Sequence, residues 1–246
     1  MEKSLIRKDG YWLGQFEAMA SPCEILMDLD DTLLANTLLE LAEQEAKRIE
    51  QKFSRYRDDN IIYKINNSHG HPVKVDEETG KLLDYADQCF QLSDGKFDIT
   101  SGILRQVWKF DGSDNIPSKN EINALLSRVG WEKMKWETPY LTLPEHMEID
   151  LGGIGKEYAV DRTTLILQQH TSASLLINFG GDLSITGRRS NGQCWRTGVD
   201  NPSATGENSV GNIELEKGAI ATSGDARRFL IKDGIRYSHI LDPKTG

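Results

Sequence analysis

The chain has 246 residues, 38% of them hydrophobic and 27% charged, an ordinary globular composition long enough for one large domain or two small ones. Its formal net charge of −9 argues against a nucleic-acid partner, which needs a basic face. No apolar run approaches a membrane span, the opening MEKSLIRKDG lacks the apolar centre of a secretory signal, and three widely spaced cysteines without a CxxC pair indicate neither zinc site nor disulfide framework, so a cytoplasmic location is expected.

Residues 11–29 alternate loosely between apolar and polar and are interrupted by Pro22, which predicts two strands meeting at a bend. Leu34, Leu38, Leu41, Ile49 and Phe53 then recur at helical spacing opposite a charged face, predicting one long amphipathic helix over 33–53. A second helix is predicted over 77–92. Ser118 and Glu121 form an S-x-x-E capping box, so a third helix should start there and end near Gly130.

Beyond Trp131 the texture changes. Residues 141–143 and 147–151 are short apolar runs, read as strands, the second ending at Gly152-Gly153 before a helix over 154–169. Residues 174–179 form an apolar strand ending at Gly180-Gly181. From there to Gly246 short strands alternate with Gly, Asn and Pro turns. The pattern is α+β, with a helix-rich first half and a strand-rich second half. A central cleft between the halves is the default place for a ligand.

Four glycine-bearing segments carry the chemistry: DLGGIGKEYAVDR (150–162), NFGGDLSITG (178–187), ATSGDARRF (221–229) and YSHILDPKTG (237–246). Glycine lets backbone approach a ligand, and free N–H groups in such turns bind phosphate oxygens. In the first segment a helix N-terminus and Lys156 meet near one point, which suits a pyrophosphate. Taken alone, it reads better as a tight strand-to-helix turn with a surface lysine. His239 lies between a strand and the 242–246 turn, and an imidazole with a pKa near about 6.5 can take a proton from a hydroxyl. The pairs Asp30-Asp31 and Asp58-Asp59 read as solvated helix-start carboxylates. Trp108, Trp131, Trp136 and Trp195 read as core or cleft walls.

Together these segments resemble the ApbE family, the FAD:protein FMN transferases. Residues 18–23 (AMASPC) are similar to the family's M-G-T motif, and Phe53-Ser54-Arg55-Tyr56 with Ile65-Asn66 to its F-S-x-Y and I-N pattern. Residues 94–102 (DGKFDITSG) followed by Trp108-Lys109-Phe110 resemble its D-G-x-F-D-x-T…W-x-F segment. The glycine-bearing segments supply the remaining motifs, in the family's order.

The resemblance implies a single flavin transferase domain over 1–246 with FAD in a central cleft. It implies that Met19, Tyr56, Asp98, Thr100, Asp161 and Ser223 line or approach FAD. Asn178, Asp225 and Leu241, in matching motifs, are further candidates for cofactor contact. His239 matches the family's base, Lys156 is a candidate for charge neutralisation, and the Gly155 carbonyl matches a ligand of a magnesium ion. Gly155 and Glu157 stand where the family commonly has Ala and Gly. The family continues past its D-P-x-T-G motif, so the chain is expected to lack a C-terminal segment, leaving at most an incomplete metal site. The implied reaction moves FMN from FAD onto a Thr or Ser hydroxyl of a target flavoprotein and releases AMP. An FAD pyrophosphatase and a non-catalytic flavin-binding module are the alternatives.

Overall fold

A computed structural model describes residues 2–200, 209–224 and 229–246. The strands are β1 (Ser4–Lys8), β2 (Tyr11–Ala18), β3 (Ser21–Asp28), β4 (Val73–Lys74), β5 (Lys135–Glu137), β6 (Tyr140–Thr142), β7 (Ser174–Phe179), β8 (Asp182–Ile185), β9 (Trp195–Asp200), β10 (Ser209–Leu215), β11 (Gly218–Ile220), β12 (Phe229–Lys232) and β13 (Ile235–Ser238). The helices are α1 (Thr32–Phe53), α2 (Ile61–Asn66), α3 (Glu77–Leu92), α4 (Lys119–Leu126) and α5 (Gly155–Gln168), with 3₁₀ turns at Ile99–Gln106 and Trp131–Lys133. The chain forms two compact units, each made of two segments: 1–51 with 154–223, and 52–153 with 224–246.

The first unit is built on a six-stranded antiparallel sheet of order β1-β2-β3-β7-β8-β11. Period-two alternation sorts its side chains. Phe16, Cys23, Ile25, Met27, Ile177 and Phe179 are buried on one face. There α1 comes so close that a Cβ on Gly14 of β2 would meet Leu39. The helix buries Ala35, Leu38, Leu39, Ala42, Ala46 and Ile49, the helical period that the sequence shows. Asp31 Oδ1 caps it by accepting from the N–H groups of Leu33 and Leu34 at 2.9 and 3.1 Å, as the helix-start reading expects. The opposite face carries Leu26, Leu176 and Ile185 in a cluster with Trp195, beside Tyr11 and Leu215.

In the second unit the core joins the Ile99–Gln106 turn, α4 and the β12–β13 hairpin: Ile103, Leu104, Trp108, Ile122, Leu125, Val129 and Leu230 pack together. A three-stranded sheet of order β4-β6-β5 lies in the same unit. The α4 capping box is formed as expected, with Ser118 Oγ accepting from the Glu121 N–H and the Glu121 carboxylate accepting from the Ser118 N–H.

The structure corrects several expectations. The two strands expected over residues 11–29 are β2 and β3, and Ser4–Lys8, which carried no strand expectation, adds an edge to β2. The bend falls at Met19-Ala20 and not at Pro22, which sits inside β3. The α+β expectation holds, with most helices in the first half and most strands in the second, but β1–β3 of the first half share one sheet with β7, β8 and β11 of the second. Residues 147–151 form no strand. Their run is apolar because Met147, Ile149 and Leu151 are buried, while the backbone is held by Asn66 and Ile99 instead of a ladder. The third helix ends at Leu126, four residues before Gly130.

Candidate functional site

In the first unit, two hairpin ends and a helix start converge. The β2–β3 turn consists of Met19 and Ala20, at φ 54° and 52°. Both central residues are left-handed, as in a type I′ turn. For side chains with a Cβ this conformation costs roughly 1–2 kcal/mol per residue, so the ladder on either side enforces it. Beside it lies the β7–β8 turn, Gly180-Gly181, at φ 65° and 105°. Gly180 is required twice: its φ is positive, and a Cβ would strike Ser21. Its N–H donates to the Pro22 carbonyl at 3.0 Å, locking the two turns together.

The third element is the start of α5, which has no side-chain cap. Lys156, in its first turn, places Nζ 3.3 Å from Asp182 Oδ2. Asp182 is buried on the first residue of β8 and also accepts from the Thr222 N–H at 3.1 Å through Oδ1. Thr222 Oγ1 donates to the Gly181 carbonyl at 2.9 Å. Glu157 is held above the usual carboxylate range, chiefly by burial and then by the like charges of Asp182 and Asp161, against the opposing pull of its own N–H and Lys156. Its Oε2 is buried without a hydrogen-bond partner among the described residues. Burial also raises the Asp161 carboxyl. Asp161 has no ion pair or hydrogen bond among the described residues, although much of its side chain is exposed.

Asn178 has a turn-building job here. Its Oδ1 accepts from the Gly181 N–H at 2.9 Å, and its Nδ2 donates to Glu24 Oε2 at 3.2 Å. Ser223 is exposed one residue beyond Thr222. Asp225 lies outside the described residues.

In the second unit, Asp98 and Thr100 form one buried knot. Asp98 Oδ1 accepts from the Thr100 N–H and hydroxyl at 2.8 and 2.7 Å, and Oδ2 accepts from the Trp131 N–H at 2.9 Å. Thr100 Oγ1 in turn accepts from the Gly130 N–H at 2.8 Å. Each side-chain oxygen of the pair is hydrogen-bonded, which ties the 3₁₀ turn to residues 130–131. Gly95 and Asp98 also line a groove of about 300 Å³ with Phe90, Pro243 and Lys244.

Tyr56 is 79% exposed. His239 is exposed, its ring edge-on to Phe110 with centroids 6.3 Å apart. Leu241 is partly buried and packs against the core cluster that includes Trp108 and Leu230. The 242–246 turn closes on Asp242, whose carbonyl accepts from the Gly246 N–H at 2.7 Å and whose Oδ1 accepts from the Lys244 N–H at 2.8 Å.

Four residues that matter here were not among the sequence candidates: Arg55, Asp150, Asp182 and Thr222. Asp150 and Asp182 each stand next to a glycine pair or one residue from it, a signal present in the sequence. Arg55 and Thr222 lie within motifs of the sequence, but what they bind is set by partners 95 and 40 residues away.

The ApbE family profile matches residues 19–246. Among solved structures, the ApbE protein of Thermotoga maritima superposes with a TM-score of 0.85 at 34% identity, over 96% of this chain and 77% of that one. The flavin transferase ApbE of Vibrio cholerae gives 0.80 at 28% identity, over 99% of this chain and 78% of that one. By sequence, an FAD:protein FMN transferase of Vibrio cholerae is 31% identical over 218 residues, which is 86% of this chain and 65% of the relative. One from Escherichia coli is 29% identical over 208 residues, or 59% of its own length. The chain thus spans about three fifths to two thirds of these two relatives. With nearly its whole length matched by the profile and by the folds, the chain belongs to the ApbE family.

Proposed function

We propose that this chain transfers the FMN part of FAD to a threonine or serine hydroxyl of a target flavoprotein, with AMP as leaving group. The observation that carries the reading is the uncapped start of α5, with Lys156 in its first turn beside the Gly180-Gly181 turn. A helix N-terminus with a neighbouring cation is suited to phosphate oxygens. The names of the relatives support FAD as the source of those phosphates.

FAD would supply an FMN phosphoryl group already bonded to a good leaving group. The chain's residues would do the rest, which in this class of reaction is positioning and charge neutralisation. Lys156 and the first N–H groups of α5 would balance phosphate charge. The left-handed Met19 and the two glycine turns would bring backbone close to the ligand. Tyr56 would offer an aromatic face. Asp161, buried enough to raise its carboxyl and lacking a partner, would meet a hydroxyl or amine of the nucleotide. His239 would take the proton of the acceptor hydroxyl as its oxygen attacks phosphorus.

Magnesium fits the described residues poorly. No three His, Cys, Asp or Glu side chains among them form a group that could hold a metal. Gly155 is the first residue of α5, and helical carbonyls point along the axis toward residues four ahead. One such oxygen does not make the octahedral cage that magnesium demands. Among the described residues no helix is long and apolar enough to cross a membrane.

The test is incubation with FAD and a candidate acceptor, followed by mass spectrometry of the acceptor and measurement of AMP. A mass gain equal to bound FMN, with AMP in equal amount, is expected. Free FMN with an unmodified acceptor would mark an FAD pyrophosphatase, and neither product would leave only binding. His239→Ala should lower transfer by about a hundred- to ten-thousand-fold while leaving FAD affinity unchanged, the usual signature of a lost general base.

A further inference from the structure

Tyr56 is 79% exposed, and an exposed tyrosine ordinarily samples several rotamers. Here its neighbour restrains it. Arg55 Nη2 donates to the Tyr56 hydroxyl at 2.9 Å, and the guanidinium carbon lies 5.0 Å from the ring centroid. The other end of the guanidinium is anchored. Nη1 donates to Asp150 Oδ2 at 2.5 Å and reaches the Gly102 carbonyl at 3.5 Å. Both side chains of that ion pair are mostly buried, at 19% and 21% exposure.

Asp150 is itself fixed. Its N–H donates to the Ile99 carbonyl at 2.8 Å, and its Oδ1 accepts from the Gly152 N–H at 3.0 Å. Asn66 clamps the preceding residue from both sides, donating to the Ile149 carbonyl at 3.1 Å and accepting from its N–H at 2.8 Å. Gly102 faces this carboxylate because a Cβ there would collide with Asp150 Cβ. The rigid fork of arginine can serve a carboxylate and a hydroxyl at once, which lysine's point charge cannot do in the same geometry.

We propose that Arg55 is a positioning residue that holds the exposed Tyr56 ring, through Asp150, as a pre-set stacking face for a planar heteroaromatic ring of the bound nucleotide. The inference rests on the reading that this chain binds FAD, which carries two such rings, isoalloxazine and adenine. A ring restrained before binding gives up less freedom on binding, and an arginine over its other side adds cation–π support.

The experiment is a double-mutant cycle on the full chain, with FAD affinity as readout and thermal melting as the fold control. Arg55→Met should weaken FAD binding about five- to tenfold, the order of one cation–π contact plus lost pre-organisation. Tyr56→Leu should weaken it comparably or more, and in that background Arg55→Met should have no further effect. An equal loss from Arg55→Met with or without Tyr56 would overturn the proposal and leave Arg55 as a brace for the 149–152 segment. Arg55→Lys should recover the melting temperature but not the affinity; recovery of both would also overturn it.

Titrations with FMN and with AMP identify which ring stacks: the one that loses affinity on Tyr56→Leu is the partner, and loss for neither would refute stacking. A ligand-free measurement separates this idea from the functional reading. With 3-fluorotyrosine at position 56, fluorine relaxation should report a restrained ring that becomes mobile in Arg55→Lys. A ring already mobile in the parent chain overturns the positioning role whether or not FAD binds. No FAD binding together with a restrained ring would sink the functional reading alone.

Discussion

In the first unit Met19, Asn178 and Asp182 sit at the ends of strands that are hydrogen-bonded on both sides, so the β2–β3–β7–β8 ladder fixes their backbone. In the second unit the 3₁₀ turn and the 149–152 segment have no such ladder, and two carboxylates take its place. Asp98 ties Thr100 to Trp131, and Asp150 ties Arg55 to Gly152. A ladder spreads its support over many bonds, whereas a carboxylate knot concentrates it in one side chain. Single substitutions should therefore act locally in the first unit and spread in the second.

The sharpest way to break that contrast is Asp98→Ala. It removes three hydrogen bonds at a residue 7% exposed and leaves the Thr100 and Trp131 N–H groups without acceptors. A loss of about 3–4 kcal/mol is expected from unsatisfied buried donors. Asp98→Asn should recover only part of it, because its amide would turn a donor toward the Trp131 N–H. Chemical denaturation of both variants checks the order. A loss below about 1 kcal/mol for Asp98→Ala would mean that the second unit is as redundantly held as the first.

Asn178→Ala is the counterpart in the first unit. It deletes the bond to the Gly181 N–H and the one to Glu24, yet β7 keeps its partners on both sides. About 1 kcal/mol of destabilisation is expected, the worth of ordinary side-chain bonds, with hydrogen exchange quickened at Gly181 and not along β7. Exchange quickened throughout β3 and β7 would refute the idea that the ladder alone holds the strands.

The smallest effect should come from Glu157→Gln, and it has a pH signature. Burial raises the folded-state pKa of Glu157, so folding favours the protonated form and its contribution weakens as pH rises through the unfolded value toward the folded one. Replacing the carboxylate by an amide should raise stability at pH 7 by less than about 1 kcal/mol. The gain should fade as pH drops below about 4, where the unfolded glutamate is protonated as well. Melting curves from pH 3 to pH 8 test it; destabilisation at pH 7 would show that the Glu157 charge has a favourable partner.

Much of the local structure was legible in the sequence. The helices 33–53 and 77–92, the Ser118 cap and the strand 174–179 follow from periodicity and capping chemistry that operate within one turn or one strand. The resemblance to the ApbE family was likewise carried by ordered short motifs that the profile match bears out. Other features were not local. Residues 147–151 look like a strand because burial alone selects apolar side chains, and only the tertiary contacts of Ile149 with Asn66 and of Asp150 with Ile99 show that no ladder forms. Asp98 and Thr100 stand out in the sequence, but only the structure shows that their side chains bind each other and residues 130–131, some 30 positions away.

The sequence by itself determined where the long helices and the 174–179 strand lie and which family the motifs spell, because propensity, period and caps act between near neighbours. The pairing of β1–β3 with β7, β8 and β11, the left-handed Met19-Ala20 turn abutting Gly180, and the Arg55–Asp150 anchor were decided only by tertiary structure. Each depends on groups brought together across about 95 to 160 residues, and no local rule reports which distant partner a buried charge or a close-packed glycine will meet.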